Sequence, residues 1–244
     1  MEGMKYRLII IFFVVLSSSL FGNNKKDIYN AYINNAMPVW KGIIDQLESK
    51  PEKSNDLLLE LVNFQYGYIA WCIGNNHKDE ALVYLKNSEN NLKLLEENKF
   101  KISKIYGYKS AFYGFHISLS LFSAPFLGPK STSAAKQAIS TDPDDFFGYV
   151  QLGNVHFHAP SLMGGSKSEA LKDYLKARKL MESKAQELSD DWNYLSLLVS
   201  IAKTYELLND TTNARLVYEE ILKSEPQFKW VRDELYPKLI RKLK

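Results

Sequence analysis

The chain has 244 residues, 45% hydrophobic and 24% charged, which is typical of globular proteins and unlike a disordered chain. Its 12 glycines and 8 prolines are too few to favour a turn-rich all-β fold. The net charge of +3 is too small to indicate nucleic acid or an anionic membrane as a partner. The single cysteine, Cys72, excludes an intramolecular disulfide and a Cys₄ or Cys₂His₂ zinc site.

The N-terminal residues have the pattern of a secretory signal peptide, residues 1–22. Lys5 and Arg7 precede an apolar run from Leu8 to Leu16, and small residues follow up to Gly22. The apolar stretch covers about 14 residues, whereas a membrane-spanning helix needs roughly 20. We therefore predict cleavage after Gly22 and release to a periplasm or beyond, with an uncleaved anchor as the alternative. No cysteine lies near this junction, so we expect no lipid anchor.

The remaining chain has helical periodicity, and no alternation of apolar and polar residues is long enough to require a strand. We divide it into an N-terminal helical segment, residues 23–56, and a helical repeat domain, residues 57–244. Pro237 is expected to interrupt the last helix. The predicted helices cover residues 25–35, 38–47, 57–73, 78–97, 102–122, 131–140, 145–158, 166–188, 192–208, 211–224 and 230–242.

The helices predicted at 192–208 and 211–224 carry a repeat pattern. Small residues allow two helices to approach closely, and aromatic rings fill the space beside them. The residues in this pattern are Leu198, Ile201, Ala202, Tyr205, Ala214, Tyr218, Ile221 and Pro226. Their offsets resemble the tetratricopeptide repeat (TPR), a helix pair of about 34 residues.

Repeat units earlier in the chain match the TPR pattern less closely. Two are longer than a standard repeat: one pairs Gly114 with Ala135, the other Gly153 with Ala170, and both contain an Ala-Pro-x-Leu segment. Taken whole, the chain is similar to exported TPR proteins of Bacteroidota. Its Gly-Gly-Ser turn at 164–166 resembles one in the periplasmic T-components of TRAP transporters. The resemblance implies an all-α fold, a TPR-like right-handed superhelix of antiparallel helix pairs, and it carries over no catalytic residue.

Aromatic side chains on the first helix of each pair are the main binding candidates. First helices face the concave side in TPR arrays, and aromatic-lined grooves suit peptides or small ligands. The alternative is that these rings belong to the core. The predicted groove residues are Tyr68, Tyr108, Tyr113, Phe147, Tyr149 and His156.

Two Lys-Ser pairs near predicted helix starts suggest an anion site, because helix N-termini present free N–H groups. The residues are Lys130 and Ser131 in one turn and Lys167 and Ser168 in the other. Neither turn has the glycine spacing of a nucleotide-binding loop. The alternative is ordinary turn and capping chemistry.

No set of acid, base and nucleophile emerges, and the four histidines lack metal-ligand spacing, so we predict neither an enzyme, a metal site nor a cofactor. The predicted function is an exported scaffold that presents a concave aromatic groove to a protein or peptide partner in the cell envelope. The alternative is a periplasmic carrier of a small ligand or a transporter accessory protein. Nucleic acid and a membrane span after signal cleavage are not expected.

Overall fold

The computed structural model describes residues 23–243, so the predicted signal peptide lies outside the described residues. Within this range the chain forms helices and turns and no strand. A π-helix, Trp230–Leu235, runs directly into the last α-helix. The α-helices are α1 (Asn23–Ile33), α2 (Met37–Glu48), α3 (Asn55–Gly74), α4 (Lys78–Glu97), α5 (Ile102–Leu119), α6 (Ala124–Thr141), α7 (Phe146–His158), α8 (Lys167–Glu182), α9 (Trp192–Leu207), α10 (Thr211–Ser224) and α11 (Tyr236–Lys242).

Local sequence signals explain several helix ends. Side-chain oxygens of Ser54, Asp145, Ser166, Asp191 and Asp210 cap α3, α7, α8, α9 and α10 by accepting a backbone N–H of the first turn. Left-handed asparagines follow the C-terminal ends of α3 and α9, at Asn76 (φ 63°) and Asn209 (φ 61°). Asparagine tolerates this conformation and allows the chain to reverse within a few residues.

Three predicted helix bounds are wrong by more than two residues, and the first is the end of α5, at Leu119 rather than at residue 122. Helix α6 begins at Ala124 rather than at residue 131, although it contains Pro129. Pro125 occupies the start of this helix, where a missing N–H costs nothing, so the cost falls only on the one bond that Pro129 removes. Helix α8 ends at Glu182, before a short 3₁₀ turn, rather than at residue 188. The predicted helix 230–242 changes from a π-helix to an α-helix at Tyr236, directly before Pro237, and the chain stays helical across this proline.

The helices pack in neighbouring pairs: α3 with α4, α5 with α6, α7 with α8, and α9 with α10. Short connections make the members of each pair antiparallel, and the first helices α3, α5 and α7 also contact one another in sequence. The N-terminal helix α1 packs on α2 and reaches across to α9. Tyr29 of α1 donates a hydrogen bond from Oη to Oε1 of Glu225, which directly follows α10, at 2.6 Å. No helix within residues 23–243 combines the length and apolar character that a membrane span requires.

Small residues mark the close approach of paired helices. Ala202 and Ala214 are fully buried between α9 and α10, as the repeat pattern predicts. In the α7–α8 pair, Gly153 faces the ring of Tyr174. In the α5–α6 pair Ala135 is fully buried, as predicted, but Gly114 does not face it. Ser131 lies at the contact, and its Oγ donates to the carbonyl of Ser110 at 2.8 Å. Open space surrounds Gly114 instead.

We expect Gly153→Ala to lower the free energy of unfolding by about 1–3 kcal/mol. The added Cβ would lie 2.6 Å from Cε1 of Tyr174. That ring is buried and its hydroxyl is hydrogen-bonded to Asn154, so it has little room to move. Gly114→Ala is the matched control, because no heavy atom lies within 4 Å of its added Cβ. Gly114→Ala should raise the free energy of unfolding by about 0.5–1 kcal/mol, because alanine favours the helical conformation more than glycine does. Equal effects in urea denaturation would contradict the assigned packing.

Candidate functional site

The first helices meet around the ring of Tyr66, which projects from α3. Its centroid lies 6.0 Å from that of Tyr108 and 5.6 Å from that of Phe115, both on α5. It also lies 5.7 Å from Phe147 at the start of α7 and 6.2 Å from Trp192 at the start of α9. Aromatic side chains from four first helices therefore contact one another, on the faces that form the concave side in a TPR array.

The N-terminal helices extend this packing. Tyr32 of α1 lies 5.8 Å from Trp192 and 5.0 Å from Phe228, and Trp40 of α2 lies 5.1 Å from Trp192. The indole Nε1 of Trp40 donates to the carbonyl of Phe64 at 3.0 Å. These contacts join both ends of the chain. We call the whole group the inner aromatic cluster: Tyr32, Trp40, Tyr66, Tyr108, Phe115, Phe147, Trp192 and Phe228.

A single amide, that of Asn63 on α3, ties three helices together beside this cluster. Its Nδ2 donates to Oη of Tyr108 and to Oδ1 of Asn193, each at 3.1 Å. Its Oδ1 accepts the indole N–H of Trp192 at 3.0 Å. Burial raises the pKa of Tyr108 well above its ordinary value, so its hydroxyl stays protonated.

Three of the six predicted groove residues lie in the interior. Tyr68, Tyr108 and Phe147 are each only 3% exposed. Tyr108 and Phe147 pack against each other with centroids 4.5 Å apart. Tyr68 lies two positions after Tyr66 and so points to another side of α3. There it packs on Tyr84 of α4, at 4.9 Å.

The other three predicted groove residues are half-buried. Tyr113 lies on α5, and Tyr149 on α7 has the ammonium of Lys176 5.7 Å from its ring centroid. Nδ1 of His156 lies 2.7 Å from Oδ2 of Asp173 on α8. Tyr149 and His156 therefore contact α8, and these residues do not meet with Tyr68 on one surface.

The structure places the two Lys-Ser pairs differently. Lys130 and Ser131 lie well inside α6, and the Ser131 hydroxyl is buried against Ser110, so neither residue is at a helix N-terminus. Lys167 and Ser168 do begin α8. However, Nζ of Lys167 donates to the carbonyl of Phe157, so its ammonium is directed back towards α7.

A cleft of about 520 Å³ lies where three helix pairs end, between the starts of α5 and α7 and the chain around the end of α8. A second cavity of about 330 Å³ shares Leu188 and Asp191 with it and adds Asp190 and Glu225. We call the two together the acidic cleft. The larger one is lined by three lysines, by apolar side chains and by five carboxylates: Lys101, Lys104 and Lys184; Ile102, Phe146, Leu180, Met181 and Leu188; and Asp142, Asp144, Asp145, Glu187 and Asp191.

Lys104 and Asp145 form the base of the acidic cleft. Nζ of Lys104 lies 2.6 Å from Oδ1 of Asp145 and 4.3 Å from the ring centroid of Phe146. Asp145 also caps α7 through the N–H of Phe147 and accepts the hydroxyl of Ser103. Burial lowers the pKa of Lys104, although the Asp145 carboxylate favours its charged form. This ion pair is therefore part of the framework that joins α5 to α7.

The sequence analysis does not predict the acidic cleft. The available signal was a pair of aspartate-rich turns, residues 142–145 and 190–191, each directly before the first helix of a pair. Among residues 23–243, no group of three or more His, Cys, Asp or Glu side chains is placed to hold a metal ion. Burial raises the pKa of the Cys72 thiol to about 12, which leaves it protonated and unreactive.

Asn63→Ala should lower the free energy of unfolding by about 2–4 kcal/mol, because it leaves the Trp192 indole N–H and the Tyr108 hydroxyl without this partner. Asn98→Ala is the control, since the Asn98 side chain is exposed and bonds only across the surface. Its effect should stay within about 0.5 kcal/mol. Similar midpoints for both variants in chemical denaturation would contradict the role given to Asn63.

No protein-family model matches this sequence, and no curated protein matches it either. A solved structure that does match is the crystal structure of TTC0263, a thermophilic TPR protein in Thermus thermophilus. The likeness has a TM-score of 0.55 and 16% sequence identity, and it covers 93% of this chain and 96% of that chain. At this identity the likeness concerns the fold. Together with the paired helices, it shows that this chain has an all-α, TPR-like superhelical fold.

Proposed function

We propose that the protein is an exported, non-enzymatic scaffold whose acidic cleft holds a segment of a protein partner. The TPR-like fold supports a role in protein interaction in general. The observation that carries the site is the cleft of about 520 Å³ across the ends of three helix pairs. A cleft of this size accommodates several side chains of an extended peptide.

The chemistry of the acidic cleft defines its partner. Phe146, Leu180 and Leu188 provide apolar surface. Carboxylates outnumber lysines around them, and the adjoining cavity adds Asp190 and Glu225 but no lysine. Such a field attracts cations and sets the register of a bound segment. The expected ligand is therefore a segment with lysine or arginine beside an apolar side chain.

The aromatic groove is less well supported than the acidic cleft. The inner aromatic cluster occupies the concave side, and its rings contact one another. Tyr113, Tyr149 and His156 keep part of their surface and stay predicted partner contacts on the outside of that cluster. The carrier alternative requires a pocket that Tyr108, Tyr113 and His156 enclose, and neither cavity of the acidic cleft is lined by them.

Photo-cross-linking tests the acidic cleft. A benzoylphenylalanine at position 184, on the cleft, should cross-link a polypeptide in the source cells, and one at position 83, on the exposed face of α4, should not. Asp144→Asn with Glu187→Gln should reduce this yield by about tenfold, because the two carboxylates no longer attract the partner. The control, Glu52→Gln with Glu97→Gln, makes the same charge change elsewhere on the surface.

Equal yields from positions 184 and 83, or equal losses in both double variants, would contradict a partner in the acidic cleft. A stoichiometric small molecule in native mass spectra, without any cross-linked polypeptide, would support the carrier instead.

Export rests on the N-terminal sequence, in which Lys5 and Arg7 precede the apolar run Leu8–Leu16. We expect the mature chain to begin at or near Asn23. Phe13→Arg should hold the full-length chain inside the cell, because a charge in the apolar core of a signal blocks its insertion. Cell fractionation measures where the chain is located, and N-terminal sequencing measures where the mature chain begins. An unprocessed N-terminus in the wild-type protein would favour the uncleaved anchor.

A further inference from the structure

Two helix connections present large apolar side chains to solvent. Leu121, Phe122 and Phe126 lie at the connection between α5 and α6, and Leu162 and Met163 lie between α7 and α8. Phe122 is 94% exposed, Leu162 is fully exposed, and the other three are at least half exposed. We call these five residues the apolar tips. Exposed apolar groups of this size, gathered on protruding turns, mark an interaction surface rather than a random feature of a globular protein.

The two connections that carry the apolar tips lie at the same end of the molecule. They follow the C-terminal ends of α5 and α7, two first helices that pack against each other. The N-terminal ends of the same two helices line the acidic cleft. Because α5 has 18 residues, it separates the cleft from its tip by about 27 Å. The apolar tips and the acidic cleft are therefore at opposite ends.

The segments that carry the apolar tips contain no aspartate or glutamate: residues 98–141 and 146–168 have none. Lys130 is exposed beside the first tip, and Lys167 follows the second. The carboxylates that face these segments from neighbouring helices have partners of their own. Glu89 of α4 lies 2.8 Å from His116, Asp173 lies 2.7 Å from His156, and Glu169 lies 2.8 Å from Lys172. The two segments that carry the tips therefore have lysines and no carboxylate, in contrast to the acidic cleft.

We propose that the apolar tips insert into the interface of an anionic lipid membrane and hold the molecule with its acidic cleft directed away from the lipid. Phenylalanine and leucine side chains at an exposed turn enter the boundary between headgroups and acyl chains, and the exposed ammonium of Lys130 adds attraction to anionic lipids. A second copy of this chain fits the tips poorly. A symmetric contact through them would bring two sets of lysines together with no carboxylate in either segment to oppose them.

The test uses the protein as the source cells process it, with Phe122→Trp as a probe of the first tip. With vesicles of phosphatidylglycerol and phosphatidylethanolamine, the emission added by this indole should shift to the blue and be quenched by brominated acyl chains. Leu94→Trp is the matched control, because Leu94 is exposed near the C-terminal end of α4, and that end leads to the start of α5 at the acidic cleft. Its added emission should not change. This readout reports the tip itself, so an apolar N-terminus bound elsewhere cannot produce it.

A second variant measures the affinity for lipid. Phe122→Ser with Leu162→Ser should lower the vesicle partition coefficient by about a hundredfold, roughly tenfold for each side chain withdrawn from the interface. Leu94→Ser with Leu175→Ser removes two exposed apolar side chains from helix faces outside the tips and should change it by less than about twofold. Equal losses in the two double variants would overturn the proposal. So would a blue-shifted emission from the Phe122→Trp protein without vesicles, accompanied by a dimer in sedimentation, because a second copy would then cover the tips.

Discussion

Ring packing around Tyr66 is the contact on which the rest of the structure depends. It brings α3, α5, α7 and α9 together on their concave sides, and the N-terminal helices join it through Tyr32 and Trp40. In an open TPR array each pair contacts only its neighbours, and the concave face stays available. Here the first and last pairs also contact each other, so the concave side serves as core. Binding surfaces must then lie at the ends of the helices, where turns rather than helix faces meet the solvent.

Polar contacts fix how the helix ends are arranged. Asn63 holds the start of α9 against α3, and the Lys104–Asp145 ion pair holds the start of α7 against α5. Burial leaves both groups dependent on their partners, because an unpaired amide or ammonium would lose its hydration without compensation. The same contacts gather two aspartate-rich turns into one cleft. Charge is thereby concentrated at one end, although the sequence as a whole is nearly balanced.

Local signals in the sequence predict the helices well. The bounds of α4 and α10 match their patterns to the residue, and Ala202 and Ala214 mark the close contact of the last pair. Periodicity identifies an apolar face but not the element opposite it. The concave contact between Tyr32 and Trp192, and the union of distant turns in the acidic cleft, therefore have no signature along the chain. Gly114 and Pro129 mislead for a related reason, since a single residue type predicts a contact or a break only in its packing context.

The central claim is that aromatic packing closes the concave side and leaves the ends of the helices for binding. Hydroxyl-radical footprinting of the free protein tests it most directly, because oxidation of a ring follows its exposure to solvent. The account predicts that Tyr108, Phe147 and Trp192 are oxidised as slowly as the buried Phe64, while Phe122 and Phe126 react fast. Oxidation of the concave rings at the rate of Phe122 would show an open groove and contradict the account.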